Sequence, residues 1–121
     1  MALHNEFGKW GEEVAVEYLL RNGFEILARN WRHQHKEIDI VAQRSNELYF
    51  VEVKTRHGEM WNAEEAITAK KRDLMWRAMM GWKLQHPSPM PVHYSAIAVV
   101  VQDPALPPEI RWHQDLWEMN R

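Results

Sequence analysis

Two stretches decide how this sequence folds: Lys36-Glu37-Ile38-Asp39-Ile40-Val41-Ala42 and Leu48-Tyr49-Phe50-Val51-Glu52-Val53-Lys54, with Arg44-Ser45-Asn46-Glu47 between them. Both are rich in β-branched and aromatic residues, and the segment between them is turn-like, so they predict an antiparallel hairpin. With Ser45 and Asn46 as the central turn residues, Asp39 lies opposite Glu52 and Glu37 opposite Lys54; a four-residue loop gives the same register. Side chains alternate along a strand, so this register predicts all four on one face. Two carboxylates directly across a ladder have Cβ atoms roughly 4.5 to 5.5 Å apart and repel. A divalent cation or a shifted pKa offsets such repulsion, and either marks a functional site.

Upstream, Phe7, Trp10, Gly11, Val14, Ala15, Tyr18 and Leu19 recur at the spacing of an amphipathic helix, with Asn5 as its N-cap and Gly23 as its stop. Phe24 to Ala28 reads as a strand with Phe24, Ile26 and Ala28 on one face. Downstream, Asn62 with Glu65 forms a capping box for a second helix that runs through Ile67, Leu74, Met75, Ala78 and Trp82 to Pro87. Val92 to Val101 is a nearly continuous β-prone run, as in a strand covered on both faces. A proline-rich connector then leads to a short strand at Ile110 to Trp112 and a last helical turn from Asp115. The order αβββαββ, with a short final α, predicts a mixed sheet flanked by helices, an α/β fold. Residues 1–121 read as a single domain.

The composition excludes several classes. Without cysteine there is no disulfide scaffold and no thiolate metal centre, so a metal would be held by oxygen or imidazole. The longest apolar run, Ala96 to Val101, is far short of the roughly 20 residues of a membrane helix. The N-terminus shows no secretory pattern, so a cytoplasmic address is expected. With 15 Lys plus Arg against 17 Asp plus Glu, the formal net charge of −2 argues against a general nucleic-acid coat protein. The distribution matters more: residues 1–53 carry 6 basic and 9 acidic side chains, residues 54–86 carry 7 and 4, and residues 87–121 carry 2 and 4. The positive middle segment is either a solvated face or a phosphate-facing strip.

Other residues have two readings each. Gly8 and Gly11 lie inside the first helix, where each costs roughly 0.5 to 1 kcal/mol relative to Ala, and they adjoin Glu12. They are packing sites, or they let Glu12 approach another backbone. Of seven histidines none has a helical His-x3-His partner, which disfavours zinc; His57 beside Arg56 suits a phosphate contact. Lys70, Lys71 and Arg72 are either phosphate contacts or simply solvated. The seven tryptophans are core, interface or a base-stacking platform; Trp10 is placed on the apolar helix face, and Trp61 and Trp117 are the stacking candidates. Met75, Met79, Met80 and Trp82 suit packing or a dimer face.

Taken in order, Gly8-x-x-Gly11-Glu12-x-x-Ala15-x-x-Tyr18-Leu19, Asn30-Trp31-Arg32, Glu37-Ile38-Asp39-Ile40-Val41, Phe50-Val51-Glu52-Val53-Lys54-Thr55-Arg56 and Glu65-Ala66-Ile67-Thr68 leading into Lys70-Lys71 resemble the YraN family of bacterial proteins. That family is similar to archaeal-type Holliday junction resolvases and to the restriction-endonuclease-like fold. The resemblance implies that Asp39, Glu52 and Lys54 are the Asp…(Asp/Glu)-x-Lys motif and that Glu12 is an extra N-terminal acid near the metal. It implies Asp39, Glu52 and Glu12 as ligands of Mg²⁺ or Mn²⁺, and Lys54 either orienting or deprotonating a water or neutralising developing charge. Glu37 is an accessory candidate, pairing with Lys54 or ligating. Arg56, His57, Lys70, Lys71 and Arg72 are the candidate nucleic-acid contacts. Lys36, Met60-Trp61 and Ser95 stand where the family pattern usually has a glycine, a Phe-Gly pair and an aspartate. The expected function is a metal-dependent DNA endonuclease for branched or structured DNA, as a homodimer with no membrane partner. The alternative is a nucleic-acid- or partner-binding module on the same fold with little turnover.

Overall fold

The computed structural model describes residues 2–58 and 68–116. A helix, α1 (Ala2–Arg21), leads into three strands, β1 (Glu25–His33), β2 (Lys36–Arg44) and β3 (Glu47–His57). A second helix, α2 (Ala69–Gln85), returns the chain to β4 (Val92–Val101) and β5 (Glu109–His113). The five strands form one sheet in chain order. The β3/β4 pair is parallel and every other neighbouring pair is antiparallel. This is the mixed α/β arrangement and the αβββαββ order expected from the sequence.

The central hairpin follows the expected register, with Ile40 opposite Val51 and Arg44 opposite Glu47. Its turn residues Ser45 and Asn46 have φ of 54° and 62°, the two left-handed positions of a tight turn matched to strand twist. Alternation along β3 and β4 then sorts the core into two layers. Leu48, Phe50, Tyr94, Ala96, Ala98 and Val100 pack with Met75, Ala78, Met79 and Trp82 of α2. Tyr49, Val51, Ile97 and Val99 pack with Ala15 and Leu19 of α1. The β4 strand is thus covered on both faces; Met75, Met79 and Trp82 are core, and Met80 is half-buried against it.

Four sequence expectations change. Asn5 lies inside α1 instead of capping it. The cap of α2 is Thr68, whose hydroxyl accepts the Lys71 N–H at 3.1 Å. Asn62, Glu65 and Ile67, like Met60, Trp61 and Trp117, lie outside the described residues, and the last of these ends at Leu116, so the turn expected from Asp115 lies largely outside too. The first strand runs on to His33, and a bulge between Ile26 and Ala28 breaks its alternation. As a result Ile26 packs on the α1 side and Ala28 on the α2 side. Trp10, finally, is 40% exposed and belongs to neither core layer. The buried line of α1 runs through Gly11, Ala15 and Leu19, and at 3.6 residues per turn Trp10 stands about 140° around the helix from Ala15.

Candidate active site

The β2/β3 ladder stops at Ile40 and Val51, one residue short of the acid pair. There the Asp39 carboxylate takes over from the backbone: its Oδ2 accepts the Val53 N–H at 2.8 Å. Ile38 packs on the α2 side and Ile40 on the α1 side, although two residues apart in a regular strand share a face. The alternation therefore breaks at Asp39. Glu37, Asp39, Glu52 and Lys54 do not form the single-faced row that an unbroken register would give.

The break places Asp39 in a groove of about 260 Å³ lined also by Phe7, Gly8, Glu12, Val53, Lys54, Thr55 and Arg56. Burial pushes the Asp39 carboxyl up to about 6, with Glu12 and Glu52 adding to the rise against the Val53 hydrogen bond and Lys36. Glu12 reaches this groove because α1 lies directly on β3. A Cβ on Gly11 would come within 2.0 Å of the Thr55 hydroxyl, so only glycine permits that approach. Gly8 meets nothing within 4 Å and borders the groove. Glu12 Oε1 accepts a hydrogen bond from Asn30 Nδ2 at 3.0 Å, and Asn30 holds a left-handed φ of 52° in β1.

Glu52 is buried, and three groups converge on it. Lys54 Nζ stands 3.1 Å from Oε2, Lys36 Nζ 3.5 Å from Oε1, and the Tyr94 hydroxyl donates to Oε1 at 3.2 Å. Burial works against its charge, but the two ammonium groups more than offset it and hold Glu52 below the usual carboxylate range. Tyr94 is fully buried and its phenol is raised by that burial and by Glu52. Lys36, Tyr94 and Asn30 are site residues that sequence reasoning missed. The signals were present: a lysine where the family pattern has glycine, and a tyrosine just before the buried aliphatic run of β4.

The remaining candidates separate. Glu37 pairs with Arg32 at 3.5 Å instead of Lys54 and borders a second cleft of about 530 Å³, which shares Gly8 and Glu12 with the first. Arg56 lines the first groove, and His57 is stacked on Phe7 beside it. Lys70, Lys71 and Arg72 lie in the first turn of α2 and are not among the residues that line either cleft. Ser95 is buried and donates a hydrogen bond to the Gln114 carbonyl, a structural role.

Among the described residues no three Asp, Glu or His side chains are arranged to hold a metal ion between them. Asp39 and Glu52 nonetheless suit Mg²⁺ or Mn²⁺. These hard ions take oxygen, keep several waters and are commonly held by one or two carboxylates plus substrate phosphate. Glu52 Oε2 is buried, and among the described residues it is the Lys54 ammonium, at 3.1 Å, that faces it.

An α/β protein with one buried and one half-buried acid and a lysine at the open end of a central hairpin is the class that this fold and groove define. The chain belongs to the uncharacterised protein family UPF0102, the YraN family, whose family model matches residues 11–101. UPF0102 proteins of Porphyromonas gingivalis and Bacteroides thetaiotaomicron are 41% and 44% identical to it, over 84% and 83% of this chain and 76% and 84% of theirs. One from Syntrophomonas wolfei is 33% identical over 84% of this chain and 90% of its own. No helix among the described residues is long and apolar enough to cross a membrane.

Proposed function

We propose that this protein is a metal-dependent DNA endonuclease that hydrolyses phosphodiester bonds in branched or structured DNA. The observation that carries this reading is the Asp39 carboxyl, pushed up to about 6 and set with Glu12 in the groove that also holds Lys54 and Arg56. Perturbed acids concentrate where chemistry is done. Asp39 and Glu52, with Glu12 at the groove, offer the hard oxygens that Mg²⁺ or Mn²⁺ prefers. When bound, the ion supplies polarisation of the scissile phosphate and a more acidic water. Lys54 holds its ammonium beside Glu52 and is positioned to orient the attacking water or to neutralise charge as it develops. Arg56 presents a guanidinium suited to the flanking phosphate. Two copies acting together would suit a paired cut on a two-fold symmetric branch, and sedimentation checks that pairing.

A second reading is favoured by one observation: Glu52 already has two ammonium groups and a phenol around it. Under that reading the acid is a structural anchor and the groove binds nucleic acid or a partner with little turnover. Four-way, flapped, single-stranded and linear DNA, each with Mg²⁺ and with Mn²⁺, decide between the two. The endonuclease reading expects cleavage that Asp39→Asn and Lys54→Ala abolish. Binding without cleavage in every variant leaves only the binding module.

A further inference from the structure

Three aromatic rings run together beside the groove, outside both core layers. Phe7 stacks on His57 with centroids 4.4 Å apart and planes 5° from parallel. Trp10 continues from Phe7 at 5.8 Å and 12°. Phe7 lines the groove that holds Asp39, Lys54 and Arg56, while Trp10 and His57 are exposed. None of the three rings belongs to either core layer. At 40% exposure the Trp10 indole, on a helix whose buried line runs elsewhere, leaves part of its apolar face to solvent.

We propose that the Trp10, Phe7 and His57 rings form a stacking platform for an unpaired nucleobase, delivered as its flanking phosphates enter the groove. The inference rests on the DNA-directed reading of that groove and specifies what it takes: a strand with at least one unstacked nucleotide next to the acid pair. Bases in an intact duplex have their faces covered by their neighbours, so near-parallel protein rings gain nothing from them. A flap, a gap or a branch point offers a free face. Stacking on aromatic side chains is sequence-tolerant and serves strands that are not paired. The cations lie where such a strand would need them, with Lys54 and Arg56 in the groove and Lys9 beside the adjoining cleft.

The test measures equilibrium binding, with Ca²⁺ in place of Mg²⁺ so that cleavage does not interfere. Labelled single-stranded, flapped and blunt duplex oligonucleotides are titrated with wild type, Trp10→Ala, His57→Ala and Trp10→Phe, each checked for an unchanged circular dichroism spectrum. The preference for unpaired over duplex DNA should fall roughly tenfold in the two alanine variants, the scale of one lost base stack, and Trp10→Phe should restore most of it. An unchanged preference, or an equal loss on paired and unpaired DNA, overturns the platform, as does a wild type that binds no DNA. The parent reading fails separately. Wild type that prefers unpaired DNA but cuts nothing in Mg²⁺ or Mn²⁺ sinks the endonuclease and supports the platform. Cleavage with an unchanged preference does the reverse.

Discussion

Replacing Asp39 with asparagine should stabilise this protein, and the gain should depend on pH. The neutral amide keeps an oxygen that can accept the Val53 N–H, so the 2.8 Å hydrogen bond survives. What disappears is a charge in a half-buried position beside Glu12 and Glu52. A carboxyl whose pKa is about 6 in the folded chain against 3.8 unfolded costs about 3 kcal/mol when fully ionised. The folded-state value is the raised one, so folding takes up a proton between these two pH values and wild-type stability falls as pH rises through that window. Asp39→Asn should therefore exceed wild type by up to about 3 kcal/mol near pH 8, by less as pH falls below about 6, and by nothing below about 4. Glu52 acts in the opposite sense: its lowered value adds stability above its unfolded pKa that is lost as pH falls. Both proteins contain Glu52, so its direct contribution cancels in the difference. Urea unfolding across this range measures the difference. Equal stabilities near pH 8, or a gain of the same size at every pH, would refute the placement of a strained carboxylate at Asp39.

The two glycines of α1 should respond with opposite signs. Gly11→Ala forces a Cβ into Thr55 and should cost about 1 to 3 kcal/mol, whereas Gly8→Ala enters open space and should gain up to about 1 kcal/mol of helix propensity; thermal melts that rank them the other way would refute the close approach of α1 to β3. Lys36→Met removes one of the two cations beside Glu52, and calorimetry should find Mg²⁺ bound roughly tenfold more tightly, the equivalent of about 1.4 kcal/mol less repulsion; unchanged affinity would place Lys36 outside the site. His93 donates from Nδ1 to Asp115 at 2.6 Å and from Nε2 to Glu47 at 2.7 Å. Burial disfavours its charge, but the two carboxylates raise its pKa above 6.5, so its stabilisation is complete below that value and fades as pH rises through the folded one. NMR titration of the imidazole should show the raised value, and Asp115→Asn should lower it. Mn²⁺ affinity, followed by calorimetry, should weaken as pH falls below about 6, because the ion must displace the Asp39 proton; the same affinity at pH 5 and pH 8 would remove Asp39 from the ligand set.

The hairpin was legible because two independent signals agreed: strand-forming residues on both sides, and a Ser45-Asn46 pair that tolerates left-handed φ. The β4 strand was legible because its ten residues are nearly all β-prone and end in the apolar run Ala96 to Val101, which leaves no polar face to disguise it. The first strand was cut short for the opposite reason. Arg29, Asn30 and Arg32 look like the end of a strand, yet on an edge strand with a bulge these polar residues project to solvent while Trp31 alone returns to the core. The start of α2 differs from the expectation because Thr68, an extended residue whose hydroxyl accepts the Lys71 N–H, caps the helix at Ala69, while Asn62 lies outside the described residues. At the site, the residue types were readable and their partners were not. The register paired Glu37 with Lys54, but pairing fails beyond Ile40 and Val51, and nothing local announces where a ladder will open. Lys36 and Tyr94 reach Glu52 from a different strand end and across a parallel pairing, contacts of long sequence separation that periodicity cannot show.

That opening explains why two similar acids end on opposite sides of their ordinary range. Had the ladder continued, Asp39 and Glu52 would stand directly across from one another with one shared environment, and their mutual repulsion would raise both. Once pairing stops, the alternation breaks at Asp39, and its carboxylate enters the groove beside Glu12, taking a backbone N–H but no ammonium within ion-pair distance among the described residues. Glu52 stays in register with Phe50 on the α2 side, where Lys36, Lys54 and Tyr94 surround it. One carboxyl is thus raised to about 6 and the other lowered, although the two stand at the same end of one hairpin. A pair of titratable groups driven apart in this way is how a protein assigns separate acid and base roles to the same chemistry. A purely structural hairpin gains nothing by leaving a ladder unpaired to create such a difference, since the raised Asp39 carboxyl costs stability at every pH above its unfolded value.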